Sequence, residues 1–312
     1  MKIGLIKQVH EDLHPAPPSH PENPLRMNAA LRVVEQSDIA DNLEILQPGT
    51  ASIEALYNIH DRRYVESVKK VSDEGGGYLD GDTYATKRSY QAGVKVIEGA
   101  VWACDRIMDD DYRRIFLAGR PPGHHAEKKR GMGFCLFNNI AVAAEHLIAK
   151  YNLERVAIVD WDVHHGNGTQ NIFYERDDVF FVSLHQYPYY PGSGSANERG
   201  EGRGEGFTLN IPMSSGSGDE EYETAFKNII MPELDKYEPQ MILISAGFDA
   251  RDRDPLASIN LTESAYTKMT GHLVDLANRH CGGKILSIFE GGYDPTANAE
   301  SLYAHLKELM RD

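Results

Sequence analysis

Short apolar runs alternate with stretches of helical apolar spacing along almost the whole length of this chain. Residues 3–6, 115–118, 156–159, 179–184, 241–245 and 285–289 read as strands, and 207–211 as a weaker one. Residues 62–71, 89–108, 138–150, 220–234, 262–278 and 299–310 carry the helical spacing, with Thr262 and Asp219 as expected N-caps. Strands that alternate with helices predict a mostly parallel sheet with helices on both faces, an α/β three-layer αβα architecture. No Pro/Ser-rich linker or internal repeat divides the 312 residues, so a single domain over 1–312 is expected.

In such sheets the functional site lies beyond the carboxyl ends of the strands. Five of the runs end in residues able to do chemistry. The richest is VAIVDWDVHHG, residues 156–166, where Asp160, Asp162 and His164 stand at every second position. Residues two apart in an extended chain point the same way, so Asp162 and His164 can reach one ion. Asp249, after the 241–245 run, completes a three-ligand set with an open fourth position, the form of a catalytic zinc site. Taken singly, each of these residues reads better as a turn cap or a buried structural histidine. The alternate-position pair together with a strand-end Asp favours a metal.

The run at 115–118 leads into GRPPGHH, which presents His124 and His125. Beside a metal-activated water, two imidazoles supply a general base and a second donor. Each needs a partner on its other ring nitrogen, and Asp160 and Asn167 are assigned to that role. Local turn hydrogen bonding competes with it, most strongly at Asn167. Tyr293 follows Gly291 and Gly292, a place from which a phenol can donate to a developing oxyanion. Phe134 and Tyr190 lie in loops that border the same mouth, as walls for an aliphatic chain or as ordinary packing.

The formal charge of −15, from 47 acids and 32 bases, argues against direct nucleic-acid binding; it would suit cationic partners, but acidity for solubility alone is the stronger reading. Three cysteines without CxxC spacing point to a reducing compartment. No signal-like or membrane-length apolar stretch is visible, so a cytoplasmic protein that engages no membrane is expected. His10-Glu11-Asp12-Leu13-His14 matches the H-E-x-x-H pattern, but Pro15, Pro17 and Pro18 forbid the helix that motif needs. The glycines from 192 to 206 lack a phosphate-binding pattern and read as a mobile loop.

Taken together, RPPGHHAEKKRGMGFCLFNN, DWDVHHGNGTQNIFY, VSLHQYPYYPGSG, SAGFDARDRDPL and EGGYD resemble the zinc-dependent histone deacetylase family of the arginase–deacetylase superfamily, in family order. Trp161 and Asn167 look more like its class II branch. The resemblance implies an eight-stranded parallel sheet, zinc on Asp162, His164 and Asp249, and His124 and His125 as the tandem pair with His125 the base. Tyr293 would polarise the carbonyl. Gly133, Phe134 and Tyr190 would line the substrate tunnel; the family more often has Phe where Tyr190 stands. It also implies a structural K+ or Na+ held by the Asp160 and Ser183 side chains and the carbonyls of Asp162, His164 and Leu184, and it admits Fe2+ in place of zinc. An arginase-like dimanganese site is disfavoured because Gly166 stands at its last Asp position.

The expected activity is hydrolysis of an acylated amine. Acetyl-lysine in proteins or peptides is the preferred substrate and an acetylated polyamine the alternative. Some polyamine-selective relatives have Glu after the Asp-Pro of this motif, whereas Leu256 follows Asp254-Pro255 here. Asp80 and Asp82 are either a turn or a contact for substrate backbone or cation, with the turn preferred. A non-catalytic module that binds acylated ligands is the reading from another class.

Overall fold

The computed structural model describes residues 1–312. Its strands are β1 (Ile3–Gln8), β2 (Leu43–Leu46), β3 (Gly76–Tyr78), β4 (Tyr84–Thr86), β5 (Arg114–Gly119), β6 (Val156–Asp160), β7 (Val179–Gln186), β8 (Thr208–Met213), β9 (Met241–Ala246) and β10 (Ile285–Phe289). Its helices are α1 (Leu25–Glu35), α2 (Glu54–Ile59), α3 (Arg62–Asp73), α4 (Ser89–Met108), α5 (Asn139–Tyr151), α6 (Asn167–Phe173), α7 (Asp219–Ala225), α8 (Met231–Tyr237), α9 (Glu263–His280) and α10 (Pro295–Leu309).

Eight strands form one sheet in the order β2-β1-β5-β10-β9-β6-β7-β8, and every pairing is parallel. β3 and β4 make a separate antiparallel hairpin. The central strands β5, β10, β9 and β6 are buried along their whole length, which explains their unbroken apolar runs. Helices cover both faces: α1, α7, α8, α9 and α10 pack on one core, and α2, α3, α4 and α5 on the other. Each fully buried Ile, Leu or Val contributes roughly 1.5–3 kcal/mol, and strands and helices supply such residues to both cores.

Register decides function here. Strands β5, β10, β9, β6 and β7 are consecutive neighbours, and all five point the same way. They are the five whose ends carry the chemistry-bearing residues, so those residues meet along one edge.

Three expectations need correction. The single helix expected over 220–234 is interrupted by a π-helical segment, Phe226–Ile230. Pro232 has no N–H to give to the carbonyl four residues back, and the preceding turn widens. Asp219 is not a cap: Gly218 holds that position, and the Asp219 carboxylate accepts from Thr262 N (2.8 Å) and its hydroxyl (2.5 Å) instead. The glycine-rich segment 192–206 is tied down rather than loose. The Glu198 carboxylate accepts from Gly194 N, Ser195 N and Gln170 Nε2 (3.1, 3.0 and 2.6 Å), and His185 Nε2 donates to Gly194 O at 2.8 Å.

Candidate active site

Asp162 and His164 lie just past β6. The chain there is held by its own carboxylates: Asp160 Oδ1 accepts from Asp162 N (3.1 Å) and Asp162 Oδ1 from His164 N (2.9 Å). Asp249, past β9, accepts from Val163 N at 2.8 Å, and Asp162 Oδ2 accepts from Gly291 N at 2.7 Å. A β-carbon on Gly247 would strike Asp162, and one on Gly291 would strike both carboxylates, so three strand ends close together only because these residues are glycine.

The result is a buried donor set. One donor atom each from Asp162, His164 and Asp249 lie within 4.8 Å of one another. His164 Nδ1 is 3.1 Å from Asp162 Oδ1 and 3.2 Å from Asp249 Oδ2. The ion pairs of the two carboxylates are with histidines alone. Two oxygens and one nitrogen converging in a buried pocket fit a divalent cation with an open position.

The tandem histidines stand beside this set, their rings 4.0 Å apart. His124 Nδ1–H donates to Asp160 Oδ2 at 2.9 Å, and its Nε2 is 3.7 Å from Asp162 Oδ1. Burial lowers the pKa of His124, but the Asp162 and Asp160 carboxylates outweigh it and push it up to about 10. His125 differs. Its Nδ1 meets Asn167 Oδ1 at 2.8 Å, while Asn167 Nδ2 donates to Glu127 Oε1 at 2.9 Å. A carboxylate only accepts, so the Asn167 amide is oriented with its oxygen towards His125. His125 therefore carries its proton on Nδ1 and leaves the Nε2 lone pair free. Burial, then the nearby His124 and His164, hold its pKa well below the ordinary value.

A cavity of about 220 Å3 opens above these groups, lined by Asp82, His125, Gly133, Phe134, His164, Tyr189, Tyr190, Leu256 and Tyr293. Gly133 has φ +55 and presses its bare α-carbon on the His125 ring, where a β-carbon would collide. Tyr190 stands edge-on to His125, with centroids 5.2 Å apart, and Phe134 edge-on to Tyr293 at 6.0 Å. Burial keeps the Tyr293 phenol protonated, with its pKa well above the ordinary value despite Arg26 nearby. Asp160 and Ser183 are register neighbours on β6 and β7, with Leu184 next along. The Ser183 hydroxyl meets His185 Nδ1 at 2.9 Å.

Of the two acids weighed as a turn, Asp80 makes one, accepting from Asp82 N and Thr83 N, whereas Asp82 reaches the cavity. Residues 11–14 form a turn, not the helix an H-E-x-x-H site requires. A β-carbon on Gly166 would strike Asp160 Oδ2, which leaves no room there for an arginase-like Asp. Sequence reasoning overlooked Tyr189, stacked on His164 at 5.8 Å, and Glu127, which orients Asn167. The adjacent tyrosines at 189 and 190 offered a signal; Glu127, on a loop, offered none.

A parallel three-layer α/β fold with a buried Asp-His-Asp set beside paired histidines and a phenol defines a class of metal-dependent amidohydrolase. The histone deacetylase domain model matches residues 20–309. The chain is 40% identical over 280 residues to a histone deacetylase-like amidohydrolase of Pseudomonas aeruginosa, covering 89% of this chain and 74% of that one. It is 39% identical over 297 residues to a probable deacetylase of Archaeoglobus fulgidus, covering 94% and 82%. The crystal structure of the HDA15 HD domain superposes with a TM-score of 0.92 at 35% identity, over 99% of this chain and 90% of that one. This protein belongs to the histone deacetylase family. No helix in it is long and apolar enough to cross a membrane.

Proposed function

We propose that this protein removes the acyl group from acetyl-lysine in proteins or peptides, using zinc held by Asp162, His164 and Asp249. One observation carries the reading: the unpartnered Nε2 of His125 and the Tyr293 ring share a narrow, aromatic-walled cavity with His164. When bound, zinc supplies Lewis acidity to a water and to the substrate carbonyl. His125 Nε2 takes the proton of the attacking water as general base. The Tyr293 hydroxyl donates to the oxygen as charge develops on it. His124, its proton fixed by Asp160, stabilises that charge from the other side. His125 then protonates the leaving amine, and carboxylate and free amine depart.

Phe134 and Tyr190 would wall the aliphatic stem, with Gly133 giving the close approach that a linear chain needs. Leu256 presents no charge to the mouth. The Asp160, Ser183 and Leu184 group would hold a K+ or Na+ that stiffens the loop after β6, with the carbonyls of Asp162 and His164. Fe2+ suits the same three ligands as zinc.

Asp82 favours a second reading. Its carboxylate lines the cavity mouth and would attract the distal ammonium of an acetylpolyamine. A panel of acetyl-lysine peptides, longer acyl-lysines and acetylpolyamines, assayed on metal-analysed protein with a chelated control, separates the two. Higher kcat/KM on acetyl-lysine peptides is expected. Faster cleavage of acetylpolyamines than of every peptide would overturn the substrate assignment. Bound metal with no turnover would favour a binding module.

A further inference from the structure

Tyr293 sits on a backbone that does not hold itself in place. Gly292, before it, has φ +123, a conformation open to glycine and strained for other residues. The Gly292 carbonyl is held by Asn298 Nδ2 at 2.8 Å and Arg26 Nη1 at 3.4 Å. On the far side of that glycine, the Tyr293 N–H donates to Asp254 Oδ2 at 2.7 Å.

Asp254 is buried and uses its other oxygen too: Oδ1 accepts from Leu256 N at 2.9 Å. The Leu256 carbonyl accepts from the Tyr189 hydroxyl at 2.8 Å, and the Tyr189 ring lies on the His164 imidazole. One carboxylate thus joins the loop that carries the phenol to the loop that forms the cavity wall. Both loops leave adjacent strands, β9 and β10, and Phe248 N already ties them near the strand ends by donating to Gly291 O at 3.0 Å; Asp254 is the tie further out, at Tyr293 itself.

We propose that Asp254 is a positioning residue that places Tyr293 against the substrate carbonyl by gripping the Tyr293 and Leu256 amides with one carboxylate. The inference rests on the deacylase reading above. Asp254 touches neither the donor set nor any reacting atom; it acts through Tyr293. Two backbone amides on the two oxygens of one carboxylate fix their mutual separation, which suits a grip on a glycine-loosened turn.

A double-mutant cycle tests it, with Asp254→Ala, Asp254→Asn, Tyr293→Phe and the Asp254→Ala/Tyr293→Phe pair assayed on an acetyl-lysine peptide. Tyr293→Phe should lower kcat about 100-fold, the usual loss of one oxyanion donor. Asp254→Ala should lower kcat at least about 10-fold with KM nearly unchanged, and Asp254→Asn less, since it keeps one acceptor oxygen. In the Tyr293→Phe background, Asp254→Ala should cost less than about 3-fold more, because both changes remove one function. Hydrogen exchange of the backbone over residues 291–294 should accelerate in Asp254→Ala, with the strands unchanged. Independent, multiplying losses would overturn the proposal, as would unchanged exchange at 291–294. Wild-type protein that cleaves no acyl amide would sink the deacylase reading instead, and exchange would then decide the anchor alone.

Discussion

His124 and His125 are neighbours in the chain, yet their surroundings send their proton affinities apart. His124 faces the Asp162 and Asp160 carboxylates, whereas His125 is buried beside His124 and His164 and meets only the amide oxygen of Asn167. The acidic partner favours a charged ring and the neutral one a free base. Replacing Asn167 with Asp should therefore raise the pKa of His125. A base works only when deprotonated, so the acidic limb of the pH–rate profile should move to higher pH, by about one unit or more. An unmoved limb in Asn167→Asp would mean that another group is the base. That Asp160 and Asn167 orient these histidines was legible in the sequence, because both lie close to the Asp162 and His164 run without being needed as ligands; which histidine each serves was not. Glu127 and the grip of Asp254 left no sign either, because contacts between loops leave no periodic trace.

At the scale of elements, the buried strands were legible and the exposed ones were not. β10 spans the five residues expected from its apolar run, and α4 the twenty expected from its spacing. β2 escaped because only Leu46 of its four residues is buried, so no apolar run marks it. α1 and the short α6 also went unread, and α10 begins a turn early, at Pro295, with Asp294 as its cap. The start of α5 shows how elements are locked together. The Asn138 side chain caps it by accepting from Ala141 N at 3.0 Å, and Asn138 N donates to His60 Nε2 at 2.9 Å. His60 Nδ1 in turn donates to Glu127 O at 2.9 Å, so the ring must be neutral. Burial lowers its pKa from 6.5 to about 4. The unfolded chain thus binds more protons between those values, and stability rises with pH across that window. The His60 contribution is complete above about pH 6.5, falls as pH drops towards 4, and amounts to about 3 kcal/mol. Urea unfolding from pH 7 to 4 should include this loss, and His60→Gln should reduce the slope by about one proton while His10, His165, His185 and His305, also lowered by burial, keep the rest. An equal slope in that variant would place the acid sensitivity elsewhere.

Across the whole molecule, five adjacent parallel strands deliver the loops that follow them to one edge, and the site residues meet there; three of those loops, 120–138, 187–207 and 247–262, are long, and they build the cavity around the strand ends. The arrangement concentrates carboxylates: Asp160, Asp162, Asp249 and Glu290 are all buried there. Burial of like charges is costly unless a cation or proton offsets it. The site therefore makes sense as one assembled around an ion, with the sheet supplying the rigidity that holds the ligands. The most direct measurement is acetate release from an acetyl-lysine peptide by metal-stripped protein as zinc is titrated in. The account predicts no release without metal, a rise on addition, and saturation at one zinc per chain. Undiminished release by the stripped protein, or none at any zinc level, would contradict it.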